Sequence, residues 1–98
     1  MTINHSFDGD ILTITPEGRL DTSTSPELEA VVDANIEAAD SLIMDFAGID
    51  YISSAGLRVL LSAYKKMSKK GGMKVINVNE MIMEIFEVTG FTDILTIE

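Results

Sequence analysis

Asp45–Leu61 reads DFAGIDYISSAGLRVLL. The apolar run Leu42-Ile43-Met44 leads into it and ends at Asp45-Phe46, which predicts a buried strand. Ile49 to Ile52 is read as a short connector. A helix is then expected from about Ser54 to Lys70, with an inner stripe of Leu57, Leu60, Leu61, Tyr64 and Met67. Gly71-Gly72 closes it as a left-handed C-cap would. Ser53 and Ser54 stand where the helix starts. A serine there can accept a hydrogen bond from an orphan N–H, worth roughly 1 kcal/mol.

Working outward, the same alternation of elements continues in both directions. Ile3, His5 and Phe7 alternate with polar residues, Asp8-Gly9 supplies a tight turn, and Ile11 to Thr15 alternates again. The chain therefore opens with a hairpin. Pro16 and Gly18 mark an edge or bulge in its second strand. Thr24-Ser25-Pro26-Glu27 signals a helix start. Thr24 as N-cap puts Glu27 at the capping-box position, and Ser25 as N-cap puts Pro26 first in the helix. Leu28, Val31, Val32, Asn35, Ile36 and Ala39 follow at helical spacing. Met73 to Val78 reads as a strand. A third helix begins near Asn79, carries Met81, Ile82, Ile85 and Phe86, and ends at Gly90. Ile94 to Ile97 is a last strand. The order β-β-α-β-α-β-α-β predicts an α/β fold with a mixed, largely parallel sheet covered by helices.

The 98 residues allow a single domain, 1–98, and 46 % apolar content suffices for one core. There is no cysteine, which excludes disulfides and thiolate metal sites. Met1 to Ser6 lacks the features of a signal peptide, and no apolar run is long enough to span a membrane. A cytoplasmic location is expected. The formal net charge of -9 argues against nucleic acid and anionic membrane as partners. It is unevenly spread. Tyr51 to Asn79 carries six cations and no acid, whereas the remainder holds all 16 acids and only Arg19. The lysines fit a solvated helix face near a helix C-terminus. The acidic remainder fits a surface that steers a partner with a basic face.

Three segments carry a family resemblance. Asp45, Tyr51-Ile52, Ser53, Ser54, Ala55, Gly56 and Leu57 resemble the signature of the STAS domain, the fold of sulfate-transporter tails and bacterial anti-sigma factor antagonists. Gly18-Arg19-Leu20-Asp21 and Val88-Thr89-Gly90-Phe91 resemble its other two elements. The resemblance spans nearly the whole chain, in the family's order. It implies an anti-sigma factor antagonist in a partner-switching pathway, with no cofactor and no enzymatic activity. The unmodified form would bind an anti-sigma factor that is a serine/threonine kinase, freeing a sigma factor. Phosphorylation at Ser54, two residues before the helix glycine, would switch binding off, and a metal-dependent serine phosphatase would reset it. Many members carry Asp where this chain has Ser53, which leaves two adjacent hydroxyls here. A second role the resemblance allows is a non-phosphorylated scaffold or an accessory subunit of a transport or lipid-transfer system. It makes Asp21, Thr22, Ser23, Ser53, Ser54, Gly56 and Arg58 the candidate partner-binding residues.

The chemistry suits Ser54, because a phosphate at a helix N-terminus meets free N–H groups and the positive end of the dipole. Asp45 and Asp50 are expected to flank it, with Asp45 alternatively satisfying backbone donors at a strand end. Other chemistry is poorly served. A serine-hydrolase elbow needs Gly-x-Ser-x-Gly and a base, and the chain offers Ile52-Ser53-Ser54-Ala55-Gly56 with one distant His5. Carboxylates and His5 show no metal-ligand spacing. Gly71-Gly72 follows a helix and precedes a strand, the reverse of a phosphate loop.

Overall fold

The computed structural model describes residues 1–98. The strands are β1 (Thr2–Asp8), β2 (Ile11–Leu20), β3 (Ser41–Asp45), β4 (Gly48–Ile52), β5 (Met73–Ile76) and β6 (Thr96–Ile97). The helices are α1 (Ser25–Asn35), α2 (Ser54–Met67) and α3 (Glu80–Thr89), with single 3-10 turns at Ile36–Ala38 and Phe91–Asp93. β1 and β2 form the expected hairpin, in register from Thr2↔Glu17 to Asp8↔Ile11. Its two-residue turn needs a left-handed residue, which Gly9 supplies at φ +62°. The sheet order is β1-β2-β3-β5-β6, and every pairing except β1–β2 is parallel.

The segment expected to be a connector is a strand. β2 is ten residues long and changes partner along its length. Ile11 to Ile14 pair with β3, and Glu17 to Leu20 pair with β4. Pro16 lies in the gap between these two ladders. The register shifts between Gly18 and Arg19, where Gly18 adopts φ +109°. The bulge read from Pro16 and Gly18 is therefore the joint between two partner strands. β4 exists because β2 outruns β3, a fact no short window of sequence holds.

Burial alternates along the strands. Leu12, Ile14, Leu42, Met44, Met73 and Val75 join one core with Leu28 and Val32 of α1, Leu60 and Met67 of α2, and Ile82 and Phe86 of α3. Thr13, Thr15, Ile43 and Ile76 on the opposite face stay half-buried. α2 presents a different stripe from the one expected: Gly56, Val59, Leu60, Ala63 and Met67 are buried, and Leu57, Leu61 and Tyr64 only partly so. The small residues let the helix lie close to the sheet. A Cβ on Gly56 would stand 2.8 Å from both Ile52 Cγ1 and Leu20 Cγ.

The helix ends follow local chemistry, with adjustments imposed by packing. α2 stops at Met67 rather than Lys70, and Gly72, not Gly71, takes the left-handed conformation at φ +92°. Lys70 bends back to donate to the carbonyl oxygens of Ile36 (2.7 Å) and Ala39 (2.8 Å), capping the 3-10 turn that follows α1. Lys66 pairs with Asp33 at 2.6 Å and Lys74 with Glu98 at 3.4 Å. Part of the cationic segment thus ties helices and strands together. α3 ends at Gly90, φ +81°, after which Phe91 stacks on Phe86 with centroids 6.1 Å apart. The last strand is shortened to Thr96–Ile97 because Phe91–Asp93 forms a 3-10 turn.

α3 starts where expected, and Asn79 caps it with its side chain. Its Oδ1 accepts from the Ile82 N–H (2.9 Å), and its Nδ2 donates to the Ile49 carbonyl in β4 (3.0 Å). Asn79→Ala removes both bonds and leaves the half-buried Ile49 carbonyl without that partner. The expected loss is about 1–2 kcal/mol, read as a lower denaturant midpoint at unchanged m-value.

Candidate functional site

The site grows from the paired ends of β2 and β4. Leu20 faces Ile52 in register, and the Ser53 N–H donates to the Leu20 carbonyl at 2.9 Å. Asp21 and Ser53 therefore leave two neighbouring strands side by side, at the carboxyl edge of a parallel pair. α1 and α2 both begin there, so two helix N-termini converge on one edge. Thr22, Ala55 and Arg58 line a shallow groove between these helices, with Glu29 and Ser62 further along it.

Asp21 organises the first turn. Its Oδ1 accepts from the Ser23 N–H (3.0 Å), the Ser23 hydroxyl (2.9 Å) and the Thr24 N–H (3.1 Å). Its carbonyl accepts from the Ser25 N–H (2.8 Å) and the Ser25 hydroxyl (2.5 Å). Thr24 is the N-cap of α1, as the first of the two expected starts has it, but without the capping-box hydrogen bond. Ser25 is the first helical residue and Pro26 the second, and Thr24 makes no side-chain cap. Thr24 Oγ1 instead donates to the Arg19 carbonyl (2.6 Å) and accepts from the Asp21 N–H (2.8 Å). The carboxylate of Asp21 replaces the capping box because it reaches two N–H groups at once.

These bonds hold the Asp21 carboxyl below the usual carboxylate range, the Ser23 hydroxyl contributing most and the Thr24 N–H next. A lowered folded pKa contributes stability that is present above the unfolded value of about 3.9 and is lost as pH falls through the folded one. Asp21→Asn is therefore expected to melt below wild type at pH ~6, with the gap narrowing as pH drops below ~4. Melting curves across that range test it, and a gap that stays constant into acid rules the coupling out.

At the start of α2 the two hydroxyls differ. Ser53 is the N-cap: its oxygen accepts from the Gly56 N–H over a long 3.5 Å, and the residue is half-buried. Ser54 is the first helical residue and is exposed. No acid lies in that first turn. Arg58 is exposed one helical turn after Ser54, on the same face. Thr22 and Ser23 are exposed on the adjoining turn. Gly56 is buried beneath Leu20 and Ile52, so its side of the helix faces the core and not the open edge. Asp45 accepts from the Ala47 N–H and from Asn77 Nδ2, each at 3.0 Å, and so braces its own loop. Asp50 is exposed on β4.

One neighbour escaped the sequence reading. Arg19 stacks its guanidinium over the Tyr51 ring, 4.3 Å from the centroid, and its Nε lies 3.8 Å from Asp21 Oδ2. The exposed ion pair is worth little by itself, whereas the stacking fixes the guanidinium plane. The signal that would have found it is the register Arg19↔Tyr51, invisible while β4 was read as a connector.

Against known families, residues 2–98 match the STAS domain. The chain belongs to the STAS family. This STAS domain is 30 % identical over 81 residues to the anti-sigma-B factor antagonist of Bacillus subtilis, covering 82 % of this chain and 74 % of that one. A solved anti-sigma factor antagonist from Mycobacterium paratuberculosis superposes with a TM-score of 0.89 at 22 % identity, covering 98 % of this chain and 83 % of that one. The Bacillus cell fate determinant SpoIIAA in its phosphorylated form gives a TM-score of 0.77 at 16 % identity, covering 99 % of this chain and 91 % of that one. Its unphosphorylated form gives 0.78. The mixed, mostly parallel sheet with three helices is the STAS architecture. No helix of this STAS domain is long and apolar enough to cross a membrane.

Proposed function

We propose that this STAS domain is an anti-sigma factor antagonist whose unmodified form binds an anti-sigma factor serine kinase. Phosphorylation of Ser54 switches that binding off, and a metal-dependent serine phosphatase restores it. The domain acts by binding and carries no catalysis of its own. The observation that carries this reading is the contrast between the two serines. Ser53 is used by the fold as an N-cap, while Ser54 is exposed at the first position of α2, next to Ala55, which lines the groove with Thr22 and Arg58. The names of the relatives support the partner class. The equal likeness of this chain to both forms of SpoIIAA supports a switch that leaves the fold intact.

The test is incubation with the cognate serine kinase and ATP, followed by mass spectrometry of the tryptic fragment Leu20–Arg58. Phosphate on Ser54 alone is expected. Phosphate on Ser53, or none with an active cognate kinase, rejects the assignment.

The acidic body adds a kinetic expectation. With a net charge of -9, association with a basic partner face is steered, so the on-rate falls as salt rises. Stopped-flow measurement between ~0.05 and ~0.5 M salt reads it, and an on-rate indifferent to salt removes steering from the account.

A further inference from the structure

We propose that two copies of this chain pair through β1, antiparallel and centred on His5, to give one continuous sheet. β1 is the outer strand, hydrogen-bonded on one side only to β2. Its seven residues keep an unbroken register, with no bulge, proline or lysine among them. Outer strands are ordinarily blunted by such features, because an open row of N–H and C=O groups templates another strand. The opposite edge, β6, has two residues, so pairing stops at a closed dimer instead of growing.

Charge favours a second copy as the occupant. The chain carries 16 acids, yet none lies between Met1 and Phe7. Two acidic molecules can therefore meet along this edge without opposed carboxylates, since Asp8, the one acid of β1, falls opposite Thr2 in the pairing centred on His5.

The side chains are self-complementary in the register that pairs all of β1. Ile3 then faces Phe7 of the second copy, Asn4 faces Ser6, Thr2 faces Asp8, and His5 faces its own equivalent. Ile3 and Phe7 share the sheet face of their β2 partners Pro16 and Leu12, so apolar meets apolar. Phe7 is 41 % exposed in the single chain, and this pairing covers it. Asn4 with Ser6 forms a hydrogen-bonding pair on the other face. A register offset by two places Phe7 against His5 and leaves the strand ends unpaired. β1 begins opposite Glu17, and Asp21 lies four residues further along the chain, so the Ser53–Ser54 edge stays open in the dimer.

A seven-residue strand spans about 23 Å, which places the interface in the weak class. The dimer is expected at protein concentrations on the order of 0.1 mM. The chain has no cysteine, so single cysteines report cleanly. His5→Cys under mild oxidation is expected to form the intermolecular disulfide at least about tenfold faster than Val88→Cys, because self-opposed Cβ atoms fall within disulfide reach. Val88 is a fair control, being 83 % exposed on α3. A mixture of Asn4→Cys and Ser6→Cys proteins should cross-link faster than either alone. Sedimentation velocity should show the wild type associating and the Asn4→Lys, Ser6→Lys double variant monomeric. These side chains are exposed, so the substitutions leave the fold in place. Three results overturn the proposal: His5→Cys no faster than Val88→Cys, a wild type monomeric up to ~1 mM, or a double-lysine variant that associates like wild type.

Discussion

Phosphate on Ser54 is expected to lower affinity for the proposed partner kinase about a thousandfold while the melting temperature holds. Such a loss corresponds to about 4 kcal/mol. The fold tolerates the group because Ser54 is exposed at the first position of α2, where the initial N–H groups have no intrahelical partners. An anion there is stabilised by about 0.3–1 kcal/mol at an exposed site, up to ~2 in better geometry. Arg58, one turn along the same face, offers a charge-assisted partner. The cost falls on the complex, where a hydrated group of charge about -1.5 to -2 must lose water or face like charge. Titration calorimetry of phosphorylated and unmodified protein measures the ratio, and scanning calorimetry measures the fold. Ser54→Ala should bind as the unmodified protein does. Ser54→Asp, with a smaller charge and fewer acceptors, should lose less. Equal affinity for the phosphorylated and unmodified forms rejects the mechanism. A melting temperature that drops by ~10 °C or more would instead mean that phosphorylation unfolds the domain.

Gly56→Val is expected to destabilise the domain by about 3 kcal/mol, with a fall in melting temperature of roughly 12–24 °C. A side chain at this position meets Ile52 Cγ1 and Leu20 Cγ at 2.8 Å, and Leu20 Cδ2 at 3.1 Å. Leu20 is fully buried and Ile52 nearly so, which leaves them little room to yield. Relief requires lifting the start of α2 from β2 and β4, and that moves Ser53 and Ser54 relative to Asp21. Gly56→Ala separates the contributions. It gains roughly 1 kcal/mol of helix propensity, yet meets the same first contacts, so it should still be destabilising by about 1 kcal/mol. A Gly56→Ala variant more stable than wild type would show that propensity outweighs packing here.

The relation between sequence and structure differs from residue to residue. Gly9 and Gly90 were legible because a turn and a helix end each need a left-handed residue. Asn79 was legible because its side chain bonds three residues ahead. Ser54 was singled out by the family resemblance at Gly56, and the structure places it as an exposed first residue of α2. The face of α2 was misjudged because size was taken as the measure of burial. The sheet selects Gly56 and Ala63 for close approach, and pushes Leu57 and Leu61 outward. Arg19 was missed with β4, since its stacking on Tyr51 depends on two strands meeting.

The sequence by itself determined the order of every element but β4, the class of the sheet, the family and the serine at the head of α2. These rest on interactions within a few residues, or on periodicity along one element. Only the tertiary structure decided that β2 is shared by β3 and β4, that Asp21 and not Thr24 organises the start of α1, and that Lys70 caps the 3-10 turn after α1, about thirty residues away. Each brings together groups distant along the chain or sets one local hydrogen bond against another of similar strength. A difference of about 1 kcal/mol is enough to choose between such bonds. It is set by which surfaces the assembled sheet brings into contact.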